Sequence, residues 1–548
     1  MAKKEVFDVC VVGTGAGGGV MIDELTSAGF KVVALERGKM WNNAEFMEHD
    51  ELSSMVRKHQ VWAPDLLETL RETDGEKAIP GQYSMLAHGV GGSSVHWHGA
   101  AWRFRPDEMK VLSTEGSLKG ANLADWPISY EELEPFYDKA EQAYGVAGNS
   151  GSNPWGAPRS VDYPNPPHPY RSGSLAIIDA AKKLGLDPFS TPTAINSRHF
   201  GGRPACMNGG MCGYFGCPIN AKASSFSVSI PRAQATGNLD LRTHCYAYEI
   251  GVDSRGRARS VVYFDQNGDS QEVHARQIIV ACHAIGSAHL LQLSQSGKYP
   301  GGIANSNGQV GRNIMFHMDS LVQFEMDSPQ RGTLGPAGMI SIDNFHPSDS
   351  SRGFIRGASI LELPANSPIV SAFSATAYYG SDHGVWGKPL KDYIERFPYM
   401  NGLIAFCEDL PVYSNRVDLD PDVKDRFGIP APRITHKNHE NDIKQRDYFD
   451  DKLMMIAEAA GAKHAWKLDL SQHKSGSAHI MGTCRMGDDP DTSVLNRWCQ
   501  THEVDNLWVV DSSFFPTSGG YNPTLTIVAN AYRIADHFIR QAKNNNLS

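Results

Sequence analysis

Residues 6–36 read VFDVCVVGTGAGGGVMIDELTSAGFKVVALE, and the fold class follows from this stretch. The apolar, β-branched run at 6–12 predicts a buried strand of the kind found in parallel sheets. A helical pattern around 20–28 follows and ends at Gly29, and residues 31–35 predict a second buried strand that ends at Glu36. A strand, a helix and a strand within about 30 residues form a βαβ unit, so a parallel sheet is expected.

Three glycines follow the first strand in the spacing of a dinucleotide-binding fingerprint. Gly13 permits the tight turn, Gly15 lets backbone N–H groups approach a pyrophosphate, and Gly18 allows close packing of helix on strand. Ala16 is expected to contact the cofactor with these glycines, and the N-terminus of the helix that follows favours phosphate charge. Glu36 is placed to accept hydrogen bonds from ribose hydroxyls and would repel a 2′-phosphate. The pattern predicts FAD or NAD rather than NADP, the alternative being a structural glycine-rich turn.

Two segments far along the chain resemble the first strand. Residues 277–281 and 507–511 are short and apolar, and helical patterns follow them at 287–293 and 524–541. Buried strands of this type belong to one parallel sheet, so we expect an α/β (α+β) fold with a Rossmann-like domain assembled from discontinuous segments.

Composition excludes several classes of protein. The 548 residues carry 51 Lys and Arg against 61 Asp and Glu, a net charge of −10, which argues against nucleic acid as a partner. No apolar run reaches the roughly 18 residues of a transmembrane segment. The N-terminus lacks the features of an export signal, so a cytoplasmic location is expected, and the nine cysteines are expected to be reduced.

A second glycine-rich loop, residues 88–98, reads HGVGGSSVHWH and contains Gly91, Gly92, Ser93, Ser94 and His96. Its glycines again permit close approach of the backbone to a flat or phosphorylated ligand. Four more motifs follow along the chain: AIGSAHLLQLS at 284–294, VGRNIMFH at 310–317, VDSSFFP at 510–516 and GYNPTLT at 520–526. With the N-terminal fingerprint and in this order, they resemble the glucose–methanol–choline (GMC) oxidoreductases, a family of FAD-dependent enzymes.

The resemblance covers nearly the whole chain and decides for FAD over NAD. Residues 98–103 and 126–137 are most similar to bacterial sugar dehydrogenase flavoproteins, such as those acting on glucose, fructose and gluconate. Residues 94–97 are also similar to pyranose oxidases. In some relatives, a histidine at the place of His96 is bonded covalently to the flavin; the alternative is that His96 only packs against the ring.

The resemblance also implies the catalytic residues. His479 would act as the base that takes the hydroxyl proton while hydride leaves for the flavin, and imidazole suits this role near neutral pH. Asn522 would orient the substrate hydroxyl and stabilise the alkoxide-like transition state. Asp511, Pro523 and Thr524 are expected, like Asn522, to contact the cofactor.

Three cysteines, Cys206, Cys212 and Cys217, lie within one loop rich in Gly and Asn. Three thiolates in one loop can ligate iron. The sugar dehydrogenase relatives hold a [3Fe–4S] cluster here, but the last interval is one residue longer in this chain. The alternative is a loop of free thiols that packs under the flavin domain.

The motifs divide the chain unevenly. An FAD-binding domain is expected from residues 1–160, 201–318, which include the cysteine loop 206–217, and 470–548, which include the catalytic residues. Residues 161–200 are expected to form a linker and the edge of a second domain. Residues 319–469 are expected to form that inserted substrate-binding domain, built on an antiparallel sheet plus helices, with strand-like runs at 353–363 and 369–379. Phe373, Tyr378 and Tyr379 are candidate walls for sugar stacking; the alternative, and the more common role of such aromatic side chains, is ordinary core packing.

The expected function is oxidation of a hydroxyl group of a sugar, glycoside or sugar acid, with electrons passed to a non-nicotinamide acceptor. An oxidase that uses O₂ on C2 or C3 of a pyranose or glycoside is the nearest alternative. A non-redox lyase with structural FAD and a flavin-carrying electron-transfer subunit are more distant ones. A small chaperone-like or cytochrome subunit is an expected partner, and export with such a subunit is compatible with the sequence.

Overall fold

The computed structural model describes residues 5–47, 50–57, 63, 65–365, 368–372, 374–381, 383–468 and 478–544. Its strands, in chain order, are β1 (Val6–Val12), β2 (Val32–Leu35), β3 (Glu68–Arg71), β4 (Ile79–Gly81), β5 (Pro188–Ser190), β6 (Leu239–Arg242), β7 (Tyr246–Val252), β8 (Ala258–Phe264), β9 (Ser270–Val280), β10 (His317–Glu325), β11 (Ile340–Ile342), β12 (Ile360–Glu362), β13 (Met400–Glu408), β14 (Arg416–Lys424), β15 (Pro430–Thr435), β16 (His464–Lys467) and β17 (Leu507–Val509).

The α-helices are α1 (Ala16–Ser27), α2 (Val111–Glu115), α3 (Tyr130–Tyr144), α4 (Ser172–Lys183), α5 (Ser229–Ala235), α6 (His283–Leu293), α7 (Pro368–Ala372), α8 (Ala375–Tyr378), α9 (Lys388–Arg396), α10 (Glu440–Ala459) and α11 (Thr524–Lys543). None of these described helices combines the length and the apolar character that crossing a membrane requires.

The first sheet joins strands from both ends and the middle of the chain. Its order is β6-β2-β1-β9-β8-β7, and β17 also pairs with β9. β6, β2, β1, β9 and β17 run parallel, with Val9 opposite Val32 and Leu507 opposite Ile278. β7 and β8 add an antiparallel hairpin. The parallel α/β sheet that was predicted from three remote apolar runs is confirmed.

A second, six-stranded sheet has the order β16-β10-β13-β12-β11-β5, and its pairs are antiparallel. Helix α10 covers it with Phe449, Leu453 and Ile456, which are fully buried. This spacing places all three side chains on one helix face, and each contributes about 1.5–3 kcal/mol by leaving water. A third sheet, β14-β15-β3-β4, connects residues 68–81 with residues 416–435. The domain boundaries given above stay a prediction.

Two local predictions were wrong. The described residues of the run 369–379 form no strand: α7 begins at Pro368, and α8 occupies Ala375–Tyr378. Proline fits the first turn of a helix because its nitrogen has no hydrogen to donate there. In the run 353–363 only Ile360–Glu362 is a strand. Helix α1 begins at Ala16, earlier than predicted, because its glycines let the first turn pack against backbone.

Candidate active site

A cavity of about 930 Å³ extends from the glycine turn of the first sheet to the face of β10. The predicted site residues that line it are Gly13, Gly15, Ala16, Glu36, Gly92, Ser93, Ser94, His96, His479, Asp511, Asn522, Pro523 and Thr524. Gly18 and Gly91 support its wall from behind. The fold therefore brings together residues that are as much as 511 positions apart in the chain.

The three fingerprint glycines have the separate roles that their spacing predicts. Gly13 has φ +99°, and a Cβ there would lie 2.3 Å from the carbonyl oxygen of Ala281. A Cβ on Gly18 would lie 2.1 Å from the carbonyl oxygen of Gly13. At Gly15 nothing lies within 4 Å of a Cβ, so this position faces open space. Packing therefore requires Gly13 and Gly18, and only a ligand would require Gly15.

Thr14 joins the two glycine-rich loops to Glu36. Its hydroxyl donates to Glu36 Oε2 at 2.6 Å and accepts from the N–H of Gly91 at 3.1 Å. The N–H of Gly38 donates to Glu36 Oε1 at 2.9 Å. A carboxylate has about four acceptor positions, so Glu36 retains capacity for a ligand. Sequence reasoning missed Thr14 because the fingerprint assigns no role to that position.

Other polar residues at the cavity shape its wall. The hydroxyl of Ser94 donates to the carbonyl of Gly91 at 2.6 Å and accepts from Ser225, and the hydroxyl of Ser93 accepts from Ala87. Asp511 accepts from the N–H of Ser513 at 2.8 Å. Pro523 and Thr524 form the start of α11.

Two histidines at the end of the second glycine-rich loop each have a ring nitrogen that lacks a hydrogen-bond partner among the described residues. The Nε2 atoms of His96 and His98 are buried and have no hydrogen-bond partner in the described part of the chain. Burial, helped by the nearby Lys222, lowers the pKa of His96 to about 3 and that of His98 to about 4. Both imidazoles are therefore neutral.

His479 lies between a second histidine and Asn522. Its Nδ1 is 2.9 Å from Nδ1 of His317, and its Nε2 is 2.8 Å from Nδ2 of Asn522. Burial, followed by the neighbouring His317, holds the pKa of His479 well below its ordinary value. The structure places the two predicted catalytic residues, His479 and Asn522, in direct contact. His317, which ends the motif at 310–317, was not predicted as a site residue.

The hydrogen-bond chain fixes which nitrogen of His479 carries a hydrogen and which presents a lone pair. Nε2 of His317 lies 2.8 Å from the carbonyl oxygen of Gly519, which can only accept, so His317 carries its hydrogen on Nε2. Burial lowers the pKa of His317 to about 4, so its Nδ1 holds a lone pair and accepts from Nδ1–H of His479. Nε2 of His479 therefore presents a lone pair, to which the amide of Asn522 donates.

A buried charge network supports the loop that carries Asn522. Glu108 Oε1 accepts from the N–H of Gly520 at 2.9 Å and from Nε2 of His346 at 3.0 Å. Burial opposes its charge, but His346 and Arg356 together lower the pKa of Glu108. The hydroxyl of Tyr521 donates to Asp343 at 2.7 Å. These contacts hold residues 519–522 in one conformation, and with them the amide of Asn522.

The cysteine loop lies behind the cavity wall. Lys222 donates to the carbonyls of Trp97, Cys212 and Phe215 at 2.7–2.9 Å, and burial lowers its pKa while the loop thiols oppose that effect. Burial raises the pKa of Cys206 to about 11 and also that of Cys212. Across the described ranges, no group of three His, Cys, Asp or Glu side chains is arranged to hold a metal ion, so the iron–sulfur prediction gains no support.

The candidate aromatic residues that the structure describes do not line the cavity. Tyr378 donates to Glu325 at 3.0 Å and packs against Trp466, away from the cavity, and Tyr379 is absent from its lining. Phe373 lies outside the described residues. Phe406 lines the cavity instead, with its ring centroid 5.2 Å from that of His479. The pairing of β10 with β13 places Phe406 there, and local sequence contains no signal for it.

The residues around the cavity fit FAD. The volume is at the upper end of the usual range for ligand pockets, and the Gly15 position is open where a pyrophosphate would approach. Oδ1 of Asn522 and Nε2 of His96 are buried without partners within the described residues. Buried polar atoms in native proteins are normally paired, so both point to a ligand.

Family models for the GMC oxidoreductases match residues 77–319 with an N-terminal model and residues 411–531 with a C-terminal one. The chain is 34% identical to 2-methyl-1,2-propanediol dehydrogenase of Mycolicibacterium austroafricanum, over 97% of this chain and 95% of that protein. It is 32% identical to paromamine 6'-oxidase of Streptomyces fradiae, over 97% and 91%. It is 30% identical to the fructose dehydrogenase large subunit of Gluconobacter japonicus, over 98% of each.

The fold is shared with solved structures of low sequence identity. The structure of pyridoxine 4-oxidase from Mesorbium loti superimposes with a TM-score of 0.64 at 17% identity, over 97% of this chain and 99% of the other. Motifs, family models and relatives along the full length agree. The chain belongs to the GMC oxidoreductase family and is an oxidoreductase.

Proposed function

We propose that this protein oxidises a hydroxyl group of a sugar, glycoside or sugar acid to a carbonyl, with FAD as cofactor and a non-nicotinamide electron acceptor. The observation that carries the proposal is the contact between His479 Nε2 and Asn522 Nδ2, 2.8 Å apart at the cavity. A base and a hydrogen-bond donor side by side are what removal of a hydride from an alcohol carbon needs. The named relatives act on diols and sugars, which supports a hydroxyl substrate.

In this proposal the first glycine turn and Glu36 hold the dinucleotide, and residues 92–96 lie along the flavin. The bound flavin supplies the hydride acceptor. Asn522 donates to the substrate oxygen, and Nε2 of His479 takes the hydroxyl proton as hydride leaves carbon. His317 keeps Nε2 of His479 unprotonated before the reaction. Nδ1 of His317 accepts the hydrogen of His479 Nδ1, so the ring of neutral His479 carries its hydrogen there and not on Nε2.

Replacing His479 by Ala tests the assignment of the base. We expect FAD to remain bound and the rate of flavin reduction by substrate to fall by about 10²–10⁴-fold, the usual contribution of a positioned base. Anaerobic stopped-flow spectroscopy of the purified holoenzyme measures this rate. His383→Ala is the matched control, because His383 is exposed and does not line the cavity. A similar reduction rate in His479→Ala would contradict the mechanism.

An oxidase of the same family is the second candidate, favoured by the similarity to paromamine 6'-oxidase. Rapid reoxidation of the reduced flavin by air, with one H₂O₂ per carbonyl formed, would identify it. Slow reoxidation by air and fast reoxidation by a quinone or cytochrome would identify the dehydrogenase. The non-redox lyase requires a flavin that substrate does not reduce.

Three finer features stay part of the proposal. A [3Fe–4S] cluster at Cys206, Cys212 and Cys217 is tested by iron and acid-labile sulfide assays of the purified protein. A covalent bond from His96 to the flavin is tested by acid precipitation, after which the flavin would remain with the pellet. A small chaperone-like or cytochrome partner is suggested by the large-subunit name of the fructose dehydrogenase relative.

A further inference from the structure

Asp319 faces the cavity but has no role in the mechanism above. It lies on β10, two residues after His317. Because side chains alternate along a strand, His317, Asp319 and Leu321 lie on one face, and all three line the cavity.

The partner strand locates Asp319 within the cavity. In the pairing of β10 with β13, Asp319 lies opposite Phe406 and Leu321 opposite Ile404. Phe406 packs against the rings of His317 and His479, with centroids 5.9 and 5.2 Å away. Asp319 therefore lies on the strand that carries His317, the partner of the proposed base, and opposite the residue whose ring packs against that base.

The carboxyl group of Asp319 is unsatisfied. Its Oδ1 is buried and has no hydrogen-bond partner in the parts of the chain that the structure describes. Burial alone raises the pKa of Asp319 to about 8. Two described titratable groups feel its charge: burial, with help from Asp319, raises the pKa of the Tyr214 phenol to about 12 and also raises the pKa of the Cys407 thiol. A buried polar group without a partner is costly, so its presence beside a reaction site indicates that a ligand pairs with it.

We propose that Asp319 binds a second hydrogen-bond donor of the substrate, a hydroxyl or an ammonium group near the reacting hydroxyl. The enzyme would thereby select polyfunctional alcohols over simple ones. The inference rests on the proposed oxidation of a hydroxyl group and adds what distinguishes the substrate.

The test compares three alcohols that differ in one substituent: isopropanol, propylene glycol and isopropanolamine. Anaerobic flavin reduction by each gives an apparent second-order rate constant for the wild-type holoenzyme and for Asp319→Asn and Asp319→Leu. Asp327→Asn is the control, because this aspartate lies on the surface just after the same strand. FAD content shows whether each variant is folded, and the nearly isosteric Asn variant serves if Leu prevents folding.

We expect the wild type to prefer propylene glycol or isopropanolamine over isopropanol by about 10–100-fold, the ratio that one strong hydrogen bond gives. Asp319→Leu should lose that preference, so that its rate constants for the three alcohols become similar to one another. If the second group is a hydroxyl, Asp319→Asn keeps part of the preference; if it is an ammonium, Asp319→Asn loses it entirely.

Equal preference ratios in wild type, Asp319→Asn and Asp319→Leu would overturn the inference while leaving the proposed function intact. A wild-type flavin that none of the three alcohols, nor any sugar, reduces would instead overturn the proposed function. The two failures are therefore distinguishable.

Discussion

At the scale of single residues, a chain of hydrogen bonds that ends at His479 Nε2 determines which nitrogen of the proposed base can accept a proton. The carbonyl of Gly519 fixes the hydrogen of His317, and His317 fixes the hydrogen of His479. The base is thus prepared by a residue that does not touch the substrate in this account. His317 is a positioning residue.

Replacing His317 by Leu removes the acceptor that Nδ1–H of His479 has in the structure, and losing one partner of a buried hydrogen bond costs about 1–3 kcal/mol. We expect the flavin reduction rate at saturating substrate to fall by about 10–100-fold with little change in KM. His317→Gln, whose amide oxygen can accept the same hydrogen, should recover part of the rate. An equal fall in the flavin reduction rate in both variants, or a change in KM without a fall in that rate, would show that His317 does not act by fixing the tautomer of His479.

Asp319 also gives a prediction about stability and pH. Because burial raises its pKa from 3.8 to about 8, the folded state prefers the protonated carboxyl. Compared with Asp319→Asn, the wild-type apoprotein therefore has its highest free energy of unfolding below pH 4, and this free energy falls as the pH rises towards about 8. Asp319→Asn should gain on the order of a few kcal/mol over that window in urea unfolding. A pH-independent difference would mean that an opposite charge pairs with Asp319.

At the scale of elements, the turn between β1 and α1 separates structural glycines from a functional one. Gly18→Ala would place a Cβ 2.1 Å from the carbonyl of Gly13, so we expect loss of soluble protein or a large drop in stability. Gly15→Ala points into open space, so the apoprotein should keep its unfolding midpoint and lose FAD affinity. Titration with FAD and thermal unfolding measure both. Unchanged FAD affinity in Gly15→Ala would show that the fingerprint turn does not contact the cofactor.

The elements that carry the fingerprint could be predicted from sequence because their signals are local. The run at 6–12, the glycines after it and the strand ending at Glu36 lie within one βαβ unit. The run at 369–379 was misread as a strand because short apolar segments have no decisive period, and Pro368 begins a helix there.

Contacts between distant segments could not be predicted in this way. Glu108 meets Gly520 across 412 positions, and Phe406 reaches His479 only through the pairing of β10 with β13. Nothing in the local pattern around Glu108 or Asp319 distinguishes it from a surface carboxylate. His479 and Asn522 were predicted through a family resemblance, and the geometry that explains their roles comes from the fold.

At the scale of the whole molecule, one sheet drawn from residues 6–12, 32–35, 239–280 and 507–509 holds the turn on which FAD would bind. A second, antiparallel sheet supplies His317, Asp319 and Phe406. The cavity lies where residues of both sheets meet, so the cofactor would be held by one sheet and the substrate by the other. In the proposed reaction, hydride passes from a substrate held by the second sheet to a flavin held by the first.

The most direct test of the central claim is the visible flavin band of the holoenzyme, recorded anaerobically after mixing with a panel of sugars, sugar acids and diols. We expect that at least one compound bleaches the band completely and that one carbonyl group forms per flavin reduced. Consumption of a compound while the band stays unchanged would show that the flavin is structural, and it would contradict hydride transfer from a hydroxyl carbon as the function of this site.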